Sequence, residues 1–291
     1  MKIVLHGKPF DAATRPFIAE LLEQLGNHSI DIIVSPSFHK ILQKAGFDVS
    51  GFVVLAEQKM IAQAEFVFSL GGDGTLLETV TEVGRYEVPI LGINTGRLGF
   101  MATIPKDDIS KSLQTLFNNS YQIDNRTLIT LESDRGLFGE RNFALNEFAI
   151  MKRDTSSMIR VKTFIDGEFL NSYWSDGLIV STPTGSTGYS LSCGGPVVLP
   201  QSNNFIITPV CPHNLNVRPM VVSDNSIISF EIQGRGKSFL TSLDSRSQAV
   251  DASVQMACKK ADFKVRLIEL DGYNFLNTLR NKLNWGLDMR N

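Results

Sequence analysis

Lys2-Ile3-Val4-Leu5-His6 is an apolar run closed by Gly7-Lys8-Pro9, and it predicts a first strand. Phe17, Ile18, Leu21, Leu22 and Leu25 then recur three or four residues apart, the spacing of one helix face, and Gly26-Asn27 can end that helix. Ile30 to Val34 reads as a second strand, followed by a short helix with Phe38, Ile41, Leu42 and Ala45 on its apolar side. Glu65 to Leu70 is another strand-like run. Beyond Gly71-Gly72-Asp73-Gly74-Thr75, the residues Leu76, Leu77, Val80 and Val83 return to helical spacing until Gly84. Val88 to Ile93 reads as a strand, and Pro105 to Phe117 as a helix with Ile109, Leu113, Leu116 and Phe117 apolar. Such strand–helix alternation predicts a parallel sheet with helices on both faces, which binds ligands beyond the carboxyl ends of its strands.

Near residue 122 the period shortens. Leu128 to Leu131, Asn142 to Ile150, Arg160 to Ile165, Glu168 to Trp174 and Leu178 to Thr182 are short runs between turn signals. Asn204 to Thr208, Ser226 to Ile232, Phe239 to Leu243 and Phe263 to Leu270 continue them, and Asp166-Gly167 is a two-residue hairpin signal. An all-β domain of sandwich type is expected. The tail from Asn274 to Trp285 returns to helical spacing through Phe275, Leu276, Leu279, Leu283 and Trp285, and is expected to pack back on the first domain. The expected division is therefore residues 1–122 plus 271–291 for an α/β domain, and 123–270 for the β domain.

With 291 residues and 43% hydrophobic content the chain can bury a substantial core, and its length predicts two domains. Its 28 basic and 30 acidic residues leave a net charge of −2, which argues against a nucleic-acid binder. Three widely separated cysteines and four histidines form neither a disulfide framework nor a metal-ligand spacing. No apolar stretch approaches membrane-spanning length, so a cytoplasmic protein without a membrane partner is expected.

Three polar stretches interrupt this pattern. In Gly71-Gly72-Asp73-Gly74 the glycines allow backbone N–H groups to approach a phosphate, and the following helix adds its positive N-terminal end. Asp73 would repel that phosphate, and so makes sense as a group handling a proton or a metal; a plain tight turn is the alternative. Asn94 to Phe100, which includes Gly96, Gly99 and Phe100, lies at the end of another strand and could bring an aromatic ring to the same crevice, or serve as an ordinary loop. Asn146-Glu147 places an amide and a carboxylate in an apolar run, where they need either a ligand or a strand end at the surface. Asp176 to Ser190 carries a hydroxyl density that suits a nucleotide, although Ser/Thr-rich surface loops have the same composition.

Taken together, Gly71-Gly72-Asp73-Gly74-Thr75, Asn146-Glu147, Asp176-Gly177, Thr182-Pro183-Thr184-Gly185-Ser186-Thr187 and the late Asp244-Ser245 resemble the bacterial NAD kinases in order and spacing. Gly-Gly-Asp-Gly by itself is shared with diacylglycerol-type lipid kinases and phosphofructokinases; the combination is specific. The resemblance implies an α/β domain and a β-sandwich domain with the active site between them, in a homo-oligomer, dimer or tetramer. It implies phosphorylation of the adenosine-ribose 2′-hydroxyl of NAD by ATP, or in some members polyphosphate, with a divalent metal such as Mg²⁺. Carried over, Asp73 is the proton acceptor, and Gly71, Gly72, Gly74 and Thr75 shape the phosphate cradle. Asn146 and Thr187 would face the adenine and Glu147 the ribose diol, with Phe100 packed on the adenine. Asp176 would lie near the nicotinamide, Gly188, Tyr189, Ser190, Leu191 and Ser192 would line the dinucleotide, and Arg246 would sit at a polar NAD contact. No protein residue is implied as a metal ligand. Two positions depart from the family pattern: Gly188 stands where Ala is usual, and Glu78 where many members have a basic residue. Two other readings stay open, a lipid kinase on the same glycine loop and an idle dinucleotide sensor. The polar loop at Thr182 to Ser190 argues against the first and Asp73 against the second.

Overall fold

The computed structural model describes residues 1–284 except 97–98, 103, 106–107, 154–156, 235, 237 and 272–273. They form two compact units, Met1–Asn125 with Val265–Asn291, and Arg126–Lys264.

The first unit begins with strand β1 (Lys2–Gly7), helix α1 (Arg15–Asn27), β2 (Asp31–Val34), α2 (Pro36–Lys44) and the two-residue β3 (Val53–Val54). It continues through β4 (Phe66–Leu70), α3 (Asp73–Val83), β5 (Ile90–Asn94), β6 (Ile104–Pro105) and α4 (Ile109–Phe117). All pairings β5–β4–β1–β2–β3 are parallel. Every residue of β4 and β5 is buried, as strands covered on both faces must be. Ile3, Leu5, Phe68 and Ile93 pack with Ile18, Leu21, Phe38 and Leu113 from the helices in one core, where trimming a single Leu to Ala costs ~2–5 kcal/mol. The helix expected from Pro105 starts later, at Ile109. Ile104 and Pro105 instead pair in parallel with Ile93 and Asn94, so the backbone at Pro105 belongs to the sheet.

The long strand β7 (Tyr121–Ser133) carries the chain out of this unit. The second unit contains β8 (Phe143–Ala144), β9 (Glu147–Lys152), β10 (Ile159–Ile165), β11 (Glu168–Ser175), β12 (Gly177–Ser181) and the four-residue helix α5 (Tyr189–Ser192). Then follow β13 (Asn204–Val210), β14 (Met220–Ser223), β15 (Ile228–Gln233), β16 (Phe239–Leu243), β17 (Arg246–Val250) and β18 (Met256–Leu270), which returns to the first unit. One antiparallel sheet runs β14–β13–β12–β9–β16–β17; β11, β10, β15 and β18 form another run, also antiparallel. Phe148, Val180, Phe205 and Leu243 of the first pack with Val161, Phe230 and Ile232 of the second, making the expected sandwich core. Asp166 and Gly167 both have positive φ, 51° and 84°, as a two-residue hairpin between β10 and β11 requires.

Back in the first unit, Leu267 of β18 pairs in parallel with Ile90. The last helix, α6 (Phe275–Leu283), is capped by Asn274, whose side chain accepts a bond from the Asn277 N–H at 2.9 Å. It belongs to the first unit, and Trp285, read as part of it, lies outside the described residues.

Candidate functional site

In the first unit the buried strand β4 ends at Leu70, and Gly71 and Gly72 turn the chain so that Asp73 is the first residue of α3. The turn is fixed from behind by two hydroxyls: Thr79 Oγ1 bonds Ser69 Oγ and the Thr75 carbonyl, both at 2.9 Å. The half-buried Asp73 carboxylate accepts three backbone N–H bonds, from Phe100 at 2.8 Å on Oδ2, and from Met101 and Ala102 at 3.0 Å on Oδ1. Gly99 makes this approach possible, because a Cβ there would lie 2.0 Å from Asp73 Oδ1. Asn94 holds the same loop at both ends: its Oδ1 accepts from the Gly96 N–H at 2.7 Å and its Nδ2 donates to the Ala102 carbonyl at 3.3 Å. Thus the second polar stretch folds around Asp73, although Arg97 and Leu98 lie outside the described residues. The Phe100 ring is 6.5 Å from that of Phe275.

Glu78 has basic company. Its Oε2 is 2.7 Å from Lys8 Nζ and 3.7 Å from His6 Nε2, and burial holds the His6 pKa below its ordinary value. The Lys8 N–H donates to the Leu70 carbonyl at 3.4 Å, so this lysine follows β1 right beside the glycine loop. Sequence reasoning missed Lys8 because strand pairing, not spacing along the chain, brings it there.

In the second unit the hydroxyl-rich loop folds over Asn146-Glu147. Thr182 donates through its N–H to the Asn146 carbonyl at 2.8 Å and through Oγ1 to the Leu145 carbonyl at 2.5 Å. Gly185 lies so close that a Cβ would come within 2.2 Å of the Asn146 carbonyl oxygen. Beneath it the buried Arg126 donates to Thr184 Oγ1 at 3.2 Å. Thr187 Oγ1 bonds the Thr184 carbonyl at 3.4 Å, and Ser190 Oγ is 2.8 Å from Thr208 Oγ1, so Ser190 is turned inward. Tyr189 is 40% exposed, Ser192 is exposed, and Leu191 is half-buried. Asp176 Oδ1 meets Lys152 Nζ at 2.6 Å.

Asn146 Oδ1 and Glu147 Oε2 are buried and have no hydrogen-bond partner among the described residues. Both side chains point toward Gly188, where a Cβ would stand 3.4 Å from Glu147 Oε2 and 3.8 Å from Asn146 Nδ2. Leaving a buried acceptor unpaired costs about 1–3 kcal/mol, so the pair is built to receive something. Burial, and secondly the nearby Asp244, push the Glu147 carboxyl up to about 8, so at neutral pH it holds a proton it can donate. Asp244 in turn accepts the N–H groups of Leu145, Asn146 and Glu147. Arg246 donates to the carbonyls of Arg141 and Phe143 with its guanidinium 5.7 Å from the Phe143 ring.

Among the described residues no group of three or more His, Cys, Asp or Glu is placed to hold a metal ion. Among them, too, no helix is long and apolar enough to cross a membrane.

Comparison with known proteins points to one family. Residues 3–121 match the family model described as ATP-NAD kinase N-terminal domain, and residues 145–270 the ATP-NAD kinase C-terminal domain. A NAD kinase of Cytophaga hutchinsonii is 53% identical over 292 aligned residues, covering 100% of both chains. The crystal structure of an NAD kinase from Archaeoglobus fulgidus in complex with ATP superposes with a TM-score of 0.74 at 25% identity, covering 98% of each chain. Yeast NADH kinase complexed with NADH gives 0.89 at 22% identity, covering 100% of this chain and 89% of the other, a likeness of fold.

Proposed function

The chain belongs to the NAD kinase family, and from that premise we propose that it transfers the γ-phosphoryl group of ATP to the adenosine-ribose 2′-hydroxyl of NAD, giving NADP. A relative named NAD kinase, aligned over its whole length, is 53% identical. The chemistry is read from the two units. A ribose hydroxyl is a weak nucleophile, and Asp73 takes its proton as the new P–O bond forms. Asp73 suits this role because three N–H bonds fix its carboxylate while Oδ2, with a single donor, keeps a lone pair for the substrate. Gly71, Gly72, Gly74 and Thr75 shape the phosphate cradle at the N-terminus of α3, where the helix end favours negative charge.

The second unit binds the dinucleotide. Asn146 Oδ1 and the protonated Glu147 face adenine and ribose hydroxyls, which supply the partners that both side chains lack among the described residues. Thr187, Gly188, Tyr189, Leu191 and Ser192 line it and Asp176 lies toward the nicotinamide, whereas Ser190, buried and bonded to Thr208, braces the loop from inside instead of facing the ligand. A divalent cation such as Mg²⁺ would be carried on the phosphates of the donor nucleotide, where it would neutralise their charge. The protein works in the cytoplasm as a homo-oligomer, dimer or tetramer.

The test is incubation of the pure protein with ATP, Mg²⁺ and NAD, reading NADP formation, against diacylglycerol and sphingoid bases in detergent micelles. NADP formation without lipid phosphorylation is expected. Equal or better turnover of a lipid would overturn the assignment, and dinucleotide binding without turnover would favour a sensor.

A further inference from the structure

The chain leaves regular strand pairing between β8, which ends at Ala144, and β9, which starts at Glu147. The backbone groups of this gap must find partners elsewhere or stay orphaned in a buried place. On the carbonyl side Leu145 and Asn146 are taken by Thr182. On the N–H side a single carboxylate takes three successive donors. Asp244 Oδ2 accepts from Leu145 at 2.9 Å, and Oδ1 accepts from Asn146 at 2.8 Å and Glu147 at 3.2 Å. The Asp244 N–H donates back to the Glu147 carbonyl at 3.0 Å.

Two residues later the same hairpin holds the other end of the segment. Arg246 donates to the Arg141 and Phe143 carbonyls and lies over the Phe143 ring. The hairpin itself does not demand these side chains. Asp244 has φ 52°, a left-handed position that Asn or Gly fills equally well, and Leu243 pairs with Arg246 through backbone alone. What demands a carboxylate is the count of three N–H groups, since an amide has one acceptor oxygen and would turn its NH₂ against a donor.

We propose that Asp244 and Arg246 are positioning residues, which grip residues 141–147 from the β16–β17 turn and thereby set the direction of the Asn146 and Glu147 side chains toward the dinucleotide. The proposal rests on the reading of Asn146 and Glu147 as dinucleotide contacts. It gives Arg246 a structural task, gripping the backbone behind those contacts, in place of a direct bond to NAD.

The experiment measures KM for NAD and for ATP, with kcat and melting temperature, on wild type, Asp244→Asn and Arg246→Lys. Hydrogen bonds to a charged group are each worth enough that losing their geometry should raise the KM for NAD about tenfold or more, with ATP KM within about twofold. Arg246→Lys keeps the charge but loses the two-pronged reach, and should show a smaller rise in the same direction. Should Asp244→Asn not fold, Arg246→Lys and amide exchange on wild type decide, the Leu145, Asn146 and Glu147 amides being expected among the slowly exchanging ones. An unchanged KM for NAD in folded variants, equal rises in both KM values, or fast exchange at those amides would overturn the proposal. An active wild type with unaffected variants defeats the clamp alone, whereas a wild type that forms no NADP defeats the assignment of the activity.

Discussion

The Asp73 carboxylate is at once a backbone anchor and the proposed base, and substitution separates the two tasks. Asp73→Asn removes the proton acceptor, which typically costs ~10² to 10⁴ in rate, so kcat should fall in that range while NAD affinity changes far less. The amide also turns an N–H toward that of Phe100, so the variant's melting transition must be recorded beside its kinetics. A kcat within about threefold of wild type in a folded protein would rule out the base. Glu147 offers a second test. Its folded pKa is raised to about 8, so from its unfolded value near 4.5 up to about 8 the folded chain keeps a proton that the unfolded chain has lost. Its contribution to stability is therefore complete in acid and fades as pH climbs through that window. Melting of wild type against Glu147→Gln from pH 5 to 9 should show the variant gaining ground with pH, and a constant difference would contradict the raised pKa. Asn146 and Glu147 were legible because polar groups inside an apolar run stand out, and Asp73 because a carboxylate in a glycine loop is out of place beside phosphate. The contacts across the fold were not: Asp244 was named by its motif, but its bond to Glu147 spans 97 positions, and Lys8 reaches Glu78 and the glycine loop only through parallel pairing of β1 with β4.

At the scale of elements, hydrophobic period located α1, α2, α3, β1, β4 and β5 because each buries one face or both. It failed where burial does not write a pattern. β3 has only the exposed Val53 and Val54, β14 is mostly exposed, and β6 ends on a proline. The loop after β5 was readable as polar and glycine-rich, but not as the receptacle of a carboxylate from α3. That coupling is testable at Gly99. An added methyl would displace Asp73 from its three donors, and a reacting group misplaced by about 1 Å can lose ~10² in rate. Gly99→Ala should accordingly lower kcat by about that factor with the fold intact. Wild-type kcat in this variant would show that the loop does not place the carboxylate.

For the whole molecule, the proposed homo-oligomer predicts a sedimentation mass of two or four chains at micromolar concentration, with activity falling on dilution; full activity at a monomer's mass would exclude it. The passage of the chain has its own consequence. The second unit is bounded by β7 and β18, which pair with one another, so it is an insertion whose two ends emerge side by side. On the ribosome, the first unit's strands emerge early but wait for Leu267, whose pairing with Ile90 comes only after some 140 further residues of the insertion are made. The unit that carries Asp73 is thus completed last, and a nascent chain halted before β18 holds its glycine loop without a finished sheet behind it.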